Sequence, residues 1–349
     1  MKRRLLLTSA SVFFMYATWT VSHVGAQTDP FYRGKTLKIV VGTSPGGLYD
    51  RWGRLFAQYM GKHIPGNPDV IVQNMPGAGS LVGANYVYNV AKPDGLTLLM
   101  PISGIHLDQL IGRKEVKFDV RKFHWVGSQE KTHMTLYMRA DSVYKTLADV
   151  IKAKEPARCG ATGTASSGYL LPKILEDALG AKFHLVVGYP GGAEIDLAVE
   201  RGEVLCKGLT IGAYVSREPY LSWQKNGFVR LLVQTGRKRD PLLPDTPTIY
   251  ELMEQYKSRD LNRRVALVVL STADLGRPMA VTPGTPSDRV KILREAYGKS
   301  LKDPVLLSDA KKAKLDVDPS TGDEIQALLN EVIEQPPDVI KRVADLIAE

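Results

Sequence analysis

Three times along this sequence a short apolar run ends in glycine and gives way to a helical pattern. "VVGTSPGGLYDRW" from Val40, "CGATGTASSGYLL" from Cys159 and "VVGYPGGAEIDLA" from Val186 share that order. A strand that turns on glycine into an amphipathic helix must bury the helix against the sheet it left. Repeated units of this kind commit a chain to layered α/β architecture with largely parallel sheets. Further short apolar runs extend the pattern. Strands are expected at 37–41, 70–72, 97–100, 135–138, 158–161, 184–187, 204–209 and 229–234. Helices are expected at 48–60, 79–90, 147–154, 171–179, 193–201 and 286–302. Pro172 predicts that the helix ending at Leu179 starts late or with a distorted first turn. In the last helix Thr285 is the expected cap, with Pro286 in the first turn and Asp288 completing a capping-box-like pattern. Val290, Leu293, Tyr297 and Leu301 then form an apolar stripe that reads as core.

The glycine loops have a chemical consequence. A helix start leaves backbone N–H groups unpaired and carries partial positive charge, while glycine permits close backbone approach. Together they suit an anion, and in open α/β sheets ligands sit beyond the carboxyl ends of strands. Any one such loop can equally be a plain connection. The argument gains force only if the loops converge. Asp50 has two readings: a polar contact across the site, or a carboxylate favoured in the first turn of a helix.

The remaining composition narrows the setting. Lys2, Arg3 and Arg4 precede an apolar stretch from Leu5 to about Trp19, followed by Val24-Gly25-Ala26. This is the pattern of a secretory signal peptide over residues 1–26, with a mature start near Gln27. The net charge of +9 falls to +6 without those three basic residues. The rest are scattered, apart from Arg237-Lys238-Arg239 and Lys311-Lys312, so no nucleic-acid surface is indicated. Cys159 and Cys206 are the only cysteines. They can pair in an oxidising compartment or pack as two free thiols. The sequence has no P-loop, zincin helix, zinc cysteine cluster or nucleophile elbow. No metal site or cofactor is expected. Ser166 and Ser167 lie in a glycine loop, but no strained elbow surrounds them. They read as ligand donors or helix caps, with a secreted serine hydrolase as the rival reading.

"SPGGLYD", "NMPGAGS", "AKPDGLTLLM", "GYPGGAEIDLAVERGEV", "LLPDTPTIYEL" and "VTPGTPSDRVKILREAYGKSLKDP" together resemble the motifs of the substrate-binding proteins of tripartite tricarboxylate transporters, the Bug receptors. Order and spacing hold from about Phe31 to the end. The resemblance implies a type II periplasmic binding protein fold, two α/β domains with a ligand cleft between them. Domain 1 would comprise 29–128 and 235–349, with domain 2 inserted at 129–234 and hinges near 127–130 and 233–236. It implies a periplasmic, monomeric receptor for a small organic acid, working with membrane subunits; presentation of ligand to a membrane kinase is a third possible role.

The family's binding loops fall on Ser44, Gly46, Gly47, Leu48, Tyr49 and Asp50, on Gly77, Ala78, Gly79 and Ser80, and on Ser103. In the inserted domain they fall on Gly163, Thr164, Ala165, Ser166 and Ser167, on Tyr189, Gly191 and Gly192, and on Thr210. Met75 and Ser80 depart from the family pattern, which commonly has arginine and glycine there. Apart from Arg51 these loops hold no arginine, so neutral donors and helix dipoles are expected to balance the ligand's charge. In the family fold the strands carrying Cys159 and Cys206 are neighbours, which would bring the two sulfurs within reach of a bridge.

Overall fold

The computed structural model describes residues 31–161, 166–189 and 192–348. The chain begins with β1 (Thr36–Val41), α1 (Leu48–Tyr59), β2 (Asp69–Asn74), α2 (Leu81–Asn89), β3 (Thr97–Met100), α3 (Ile105–Leu110) and β4 (His124–Ser128). It continues through β5 (Met134–Arg139), α4 (Leu147–Lys152), β6 (Ala157–Gly160), α5 (Ser167–Leu179), β7 (Phe183–Val186), α6 (Gly192–Glu200), β8 (Cys206–Thr210), α7 (Ile211–Ser216), α8 (Tyr220–Asn226) and β9 (Val229–Gln234). The last part holds α9 (Ile249–Gln255), α10 (Asp260–Leu275), β10 (Pro278–Val281), α11 (Ser287–Ser300), α12 (Pro304–Lys312), β11 (Ser320–Thr321), α13 (Gly322–Ile333) and α14 (Pro337–Ala348).

Two sheets result. One runs β11-β4-β10-β3-β1-β2 and the other β7-β6-β8-β5-β9. In β1, Ile39 and Val41 join a core with Trp52, Phe56, Met100 and Leu293, while Val40 joins one with Leu81, Leu99 and Trp125. Helices therefore cover both faces, which is why the end of β1, Ile39–Val41, is a continuous apolar run. The second sheet is likewise covered twice: Leu136, Cys159, Leu171 and Leu175 on one side, Tyr137, Ile195, Tyr220 and Trp223 on the other.

The sheets are mixed rather than largely parallel. Strands β1, β2 and β3 are parallel, as are β6, β7 and β8. But β10 and β11 pair antiparallel in the first sheet, and β5 and β9 in the second. The antiparallel pairs arise where the chain enters or leaves a sheet at the crossings. The chain enters the second sheet through residues 129–133. After β9 it does not go straight back: Ile249, Val265, Val269, Val339 and Val343 pack into the second sheet's core. Return to the first sheet comes at Gly276, between α10 and β10.

Two expectations about helix starts are corrected. Helix α5 begins at Ser167, ahead of the expected start at Leu171, and Pro172 lies inside it. A side chain on Gly168 would stand 3.0 Å from the Gly160 carbonyl oxygen. Its absence seats the first turn directly on β6, and burial of Leu171, Ile174 and Leu175 holds the helix despite the missing N–H. Helix α11 is preceded by Pro286 without a side-chain cap; the Thr285 hydroxyl donates instead to the Thr282 carbonyl, 2.8 Å away. The capping boxes are elsewhere, at Thr146/Asp149, Thr248/Glu251 and Thr321/Glu324. The stripe of Val290, Leu293, Tyr297 and Leu301 is buried as expected.

Candidate binding cleft

Register sets the loops together. Val41 lies opposite both Asn74 and Met100, so the loops after β1, β2 and β3 leave one edge of the sheet. Strand β10 is antiparallel to β3 and to β4, so β4 also ends at that edge, where the chain crosses into β5. In the second sheet Met134, the first residue of β5, lies opposite Thr210, the last of β8. Strands β6 and β7 run with β8. The ends of β6 and β7, which lead into the other two glycine loops, therefore lie toward the same crossing.

In the first loop one glycine is required by its backbone conformation and the other is not. Gly46 has φ +86°, a conformation that favours glycine. Gly47 does not need to be glycine on that ground: it is extended, with φ −73°. A side chain there would meet only the Ser44 carbonyl oxygen, at 3.8 Å. The space in front of the α1 start is open, and no side chain caps it. Ser44, Gly46, Gly47 and Leu48 are exposed, as are Gly77, Ala78 and Gly79.

Asp50 and Ser80 belong to the scaffold beneath. Asp50, 2% exposed, accepts hydrogen bonds from Gly46 N at 2.8 Å, Asn74 Nδ2 at 2.9 Å and Arg54 Nε at 2.9 Å. Burial pushes its pKa upward, but bonds from Arg54, Gly46 and Asn74 together outweigh that and hold it below 3.8. Ser80 donates to Gly42 O and accepts from Ile102 N, joining all three loops of this lobe. A side chain on Gly42 would collide with Ser80 Oγ. Serine in place of the family's glycine is thus matched by the glycine opposite.

Tyr49 reaches from the first turn of α1 to the crossing. Its hydroxyl accepts from Ser103 N at 3.1 Å and donates to Gly276 O at 3.3 Å. The Arg277 guanidinium carbon is 5.0 Å from its ring centroid. Arg277 Nε donates to Glu130 Oε2 at 2.7 Å, and Trp52 Nε1 donates to the same oxygen at 3.1 Å. The sequence reading missed Arg277 and Glu130. They lie 147 residues apart, in no glycine motif, and only the topology makes them neighbours.

In the second lobe Gly163, Thr164, Ala165 and Gly191 lie outside the described residues. Ser166 precedes the first turn of α5, and Ser167 Oγ donates to Gly208 O at 3.3 Å. Tyr189 packs beside the aromatic cluster of Tyr137, Tyr220 and Trp223, and Thr210 precedes α7. Gly192 opens α6, and its carbonyl accepts from Lys207 Nζ at 3.0 Å. Lys207 also pairs with Asp196, whose oxygens accept from Tyr137 and Tyr220. Burial lowers the Lys207 pKa, with Asp196 opposing. Cys159 and Cys206 are opposed on adjacent strands, with Cα atoms 4.5 Å apart, and are bonded. The bridge stands just before two of the loops.

Among the described residues a serine–histidine contact is made at another place. His106 Nε2 is 2.8 Å from Ser271 Oγ, and its Nδ1 is 2.9 Å from Ser103 O. Both residues are fully buried, and burial lowers the His106 pKa to about 4. A neutral imidazole sealed from solvent is a packing element. Among the described residues no cluster of three or more histidines, cysteines or carboxylates is arranged for a metal, and no helix is long and apolar enough to cross a membrane.

Comparison with known proteins agrees with this architecture. A curated Agrobacterium vitis protein, "UPF0065 protein in the TAR-I ttuE-ttuC' intergenic region", is 32% identical over 233 residues; the match spans 65% of this chain and 64% of the relative's length, just under two thirds. A TctC solute-binding protein from Polaromonas superposes with TM-score 0.70 at 22% identity, covering 91% of this chain and 99% of that one. An R. palustris protein with adipate superposes with TM-score 0.55 at 20% identity, covering 90% and 98%. The family model described as "Tripartite tricarboxylate transporter family receptor" matches residues 54–345. The chain belongs to the tripartite tricarboxylate transporter receptor family.

Proposed function

We propose that this protein is a periplasmic receptor that captures one small organic carboxylate between its lobes and hands it to the membrane subunits of a tripartite transporter. The observation that carries the reading is the open start of α1 at Gly46–Leu48, at the end of the sheet where the chain crosses to the other lobe. Exposed amides and a helix dipole favour an anion there. The adipate in the R. palustris relative supports a carboxylate as the class. Residues 1–26 are a cleaved signal peptide, and the mature protein acts as a monomer. Binding involves no covalent step, metal or cofactor.

One moving body consists of 31–128 with β10, α11–α13 and β11. The other is 129–234 together with α9, α10 and α14, which share its core. Gly77–Gly79 and Ser103 face the ligand from the first body; Thr164, Ser166, Ser167, Tyr189, Gly191, Gly192 and Thr210 face it from the second. Calorimetry against succinate, adipate, citrate and benzoate tests the function. One of these acids, or a close homologue, binds with 1:1 stoichiometry if it is right. Failure of every carboxylate in an extended panel overturns it.

A further inference from the structure

The crossing holds a cation that the glycine loops do not supply. Arg277 is 9% exposed and is held at three points, two on its side chain and one on its backbone. Nε donates to Glu130 Oε2, the guanidinium lies over the Tyr49 ring, and the backbone N donates to Ser128 Oγ at 2.9 Å. The preceding residue allows no play: Gly276 has φ +60°, and a side chain there would overlap the Glu130 carbonyl. Among the described residues neither Nη1 nor Nη2 of Arg277 has a hydrogen-bond partner. The Arg277 side chain is 11% exposed, and its Nη atoms are not among the buried polar atoms left without a partner, so the guanidinium keeps contact with water that an anion can displace. Its free end is the Nη1/Nη2 fork, the edge that takes a carboxylate in bidentate fashion. It lies against the ring whose hydroxyl binds Ser103 N, and that ring stands in the first turn of α1.

We propose that Arg277 is a ligand-binding residue that receives one carboxylate group of a di- or tricarboxylate at the floor of the cleft. Glu130 is its positioning partner. This deepens the carboxylate reading above and rests on it. One carboxylate lies on the Arg277 fork beside Tyr49, while the remainder of the acid extends toward the open start of α1. The arrangement selects for acids with at least two carboxylates: a monocarboxylate cannot occupy both places.

The test is calorimetry with succinate, adipate, citrate and benzoate on the wild type and on Arg277→Gln, Arg277→Lys and Glu130→Gln, each checked for folding by circular dichroism. Arg277→Gln should weaken the best di- or tricarboxylate about ten- to hundredfold, as expected for loss of a charge-assisted bidentate contact. Arg277→Lys keeps the charge without the fork and should fall between. Glu130→Gln, which weakens the charge-assisted hold on Nε, should bind the same acids several-fold more weakly than wild type with their rank order kept. Should Arg277→Gln fail to fold, phenylglyoxal labelling of wild-type Arg277 should be slowed by the bound acid. Wild-type affinity in folded Arg277→Gln, or labelling unaffected by ligand, overturns the assignment alone. If the wild type binds no carboxylate, both the assignment and the proposed function fall.

Discussion

Replacing Asp50 with alanine separates a scaffold role from a ligand contact. The carboxylate accepts from Gly46 N, Asn74 Nδ2 and Arg54 Nε. After Asp50→Ala, Arg54, whose side chain is 57% exposed, returns to water at little cost. Asn74 keeps its bond to Thr43 O. The main loss is the charged acceptor for Gly46 N–H, worth about 1.5–3 kcal/mol, with about 1 kcal/mol more for Asn74. The expected destabilisation is therefore about 2–4 kcal/mol, read by urea unfolding with circular dichroism. Freed from its tie, the loop before α1 should bind acids several-fold more weakly but in unchanged rank order. Because the folded pKa is held below 3.8, this stabilisation is present above that value and disappears as pH falls through the folded pKa. Unchanged stability, with preference shifted toward more highly charged acids, would refute the scaffold reasoning and put Asp50 in contact with ligand.

Other perturbations probe other parts. The Cys159–Cys206 bridge closes a loop of 47 residues, so Cys159→Ala/Cys206→Ala should cost about 4 kcal/mol in urea unfolding; a loss under about 1 kcal/mol would contradict that. Lys207→Met strands a buried Asp196 and should cost about 3–5 kcal/mol, with Lys207→Met/Asp196→Asn recovering part; no recovery would mean the pair is not coupled. His106 is held neutral by burial, with a folded pKa near 4 against 6.5. Its contribution, roughly 3 kcal/mol, is full above pH 6.5 and is lost as pH falls toward 4. His106→Gln should flatten that part of the stability profile, and an unchanged slope would refute the assignment.

The strand–turn–helix units were legible because burial on both sheet faces leaves short apolar clusters such as Ile39–Val41 and Leu98–Met100 ahead of a turn; 97–100 and 229–234 were read at their observed bounds. Helix α10 was not. Its face pattern is blurred because Val265, Ala266, Val268, Val269 and Leu270 are all buried, packed among α5, α13 and α14. Strand β10 opens on a proline and pairs antiparallel between distant strands, so neither periodicity nor turn chemistry marks it. The same limit applied to the site. Loops on one parallel edge follow from local motifs. Arg277 and Glu130 meet Tyr49 only through the crossing, a long-range contact that no spacing records. Asp50 was ambiguous because both its roles favour a carboxylate in a first helical turn; its three donors decide for the scaffold.

The cleft is expected to hold one small acid, non-covalently and unchanged. Native mass spectrometry of gently purified, processed protein tests it most directly. The account predicts a mature chain beginning near Gln27 that carries a single carboxylate of low mass, released intact on denaturation and exchangeable for added di- or tricarboxylate. A bare protein that takes up no acid from the panel, or one that returns the bound molecule hydrolysed, would contradict it.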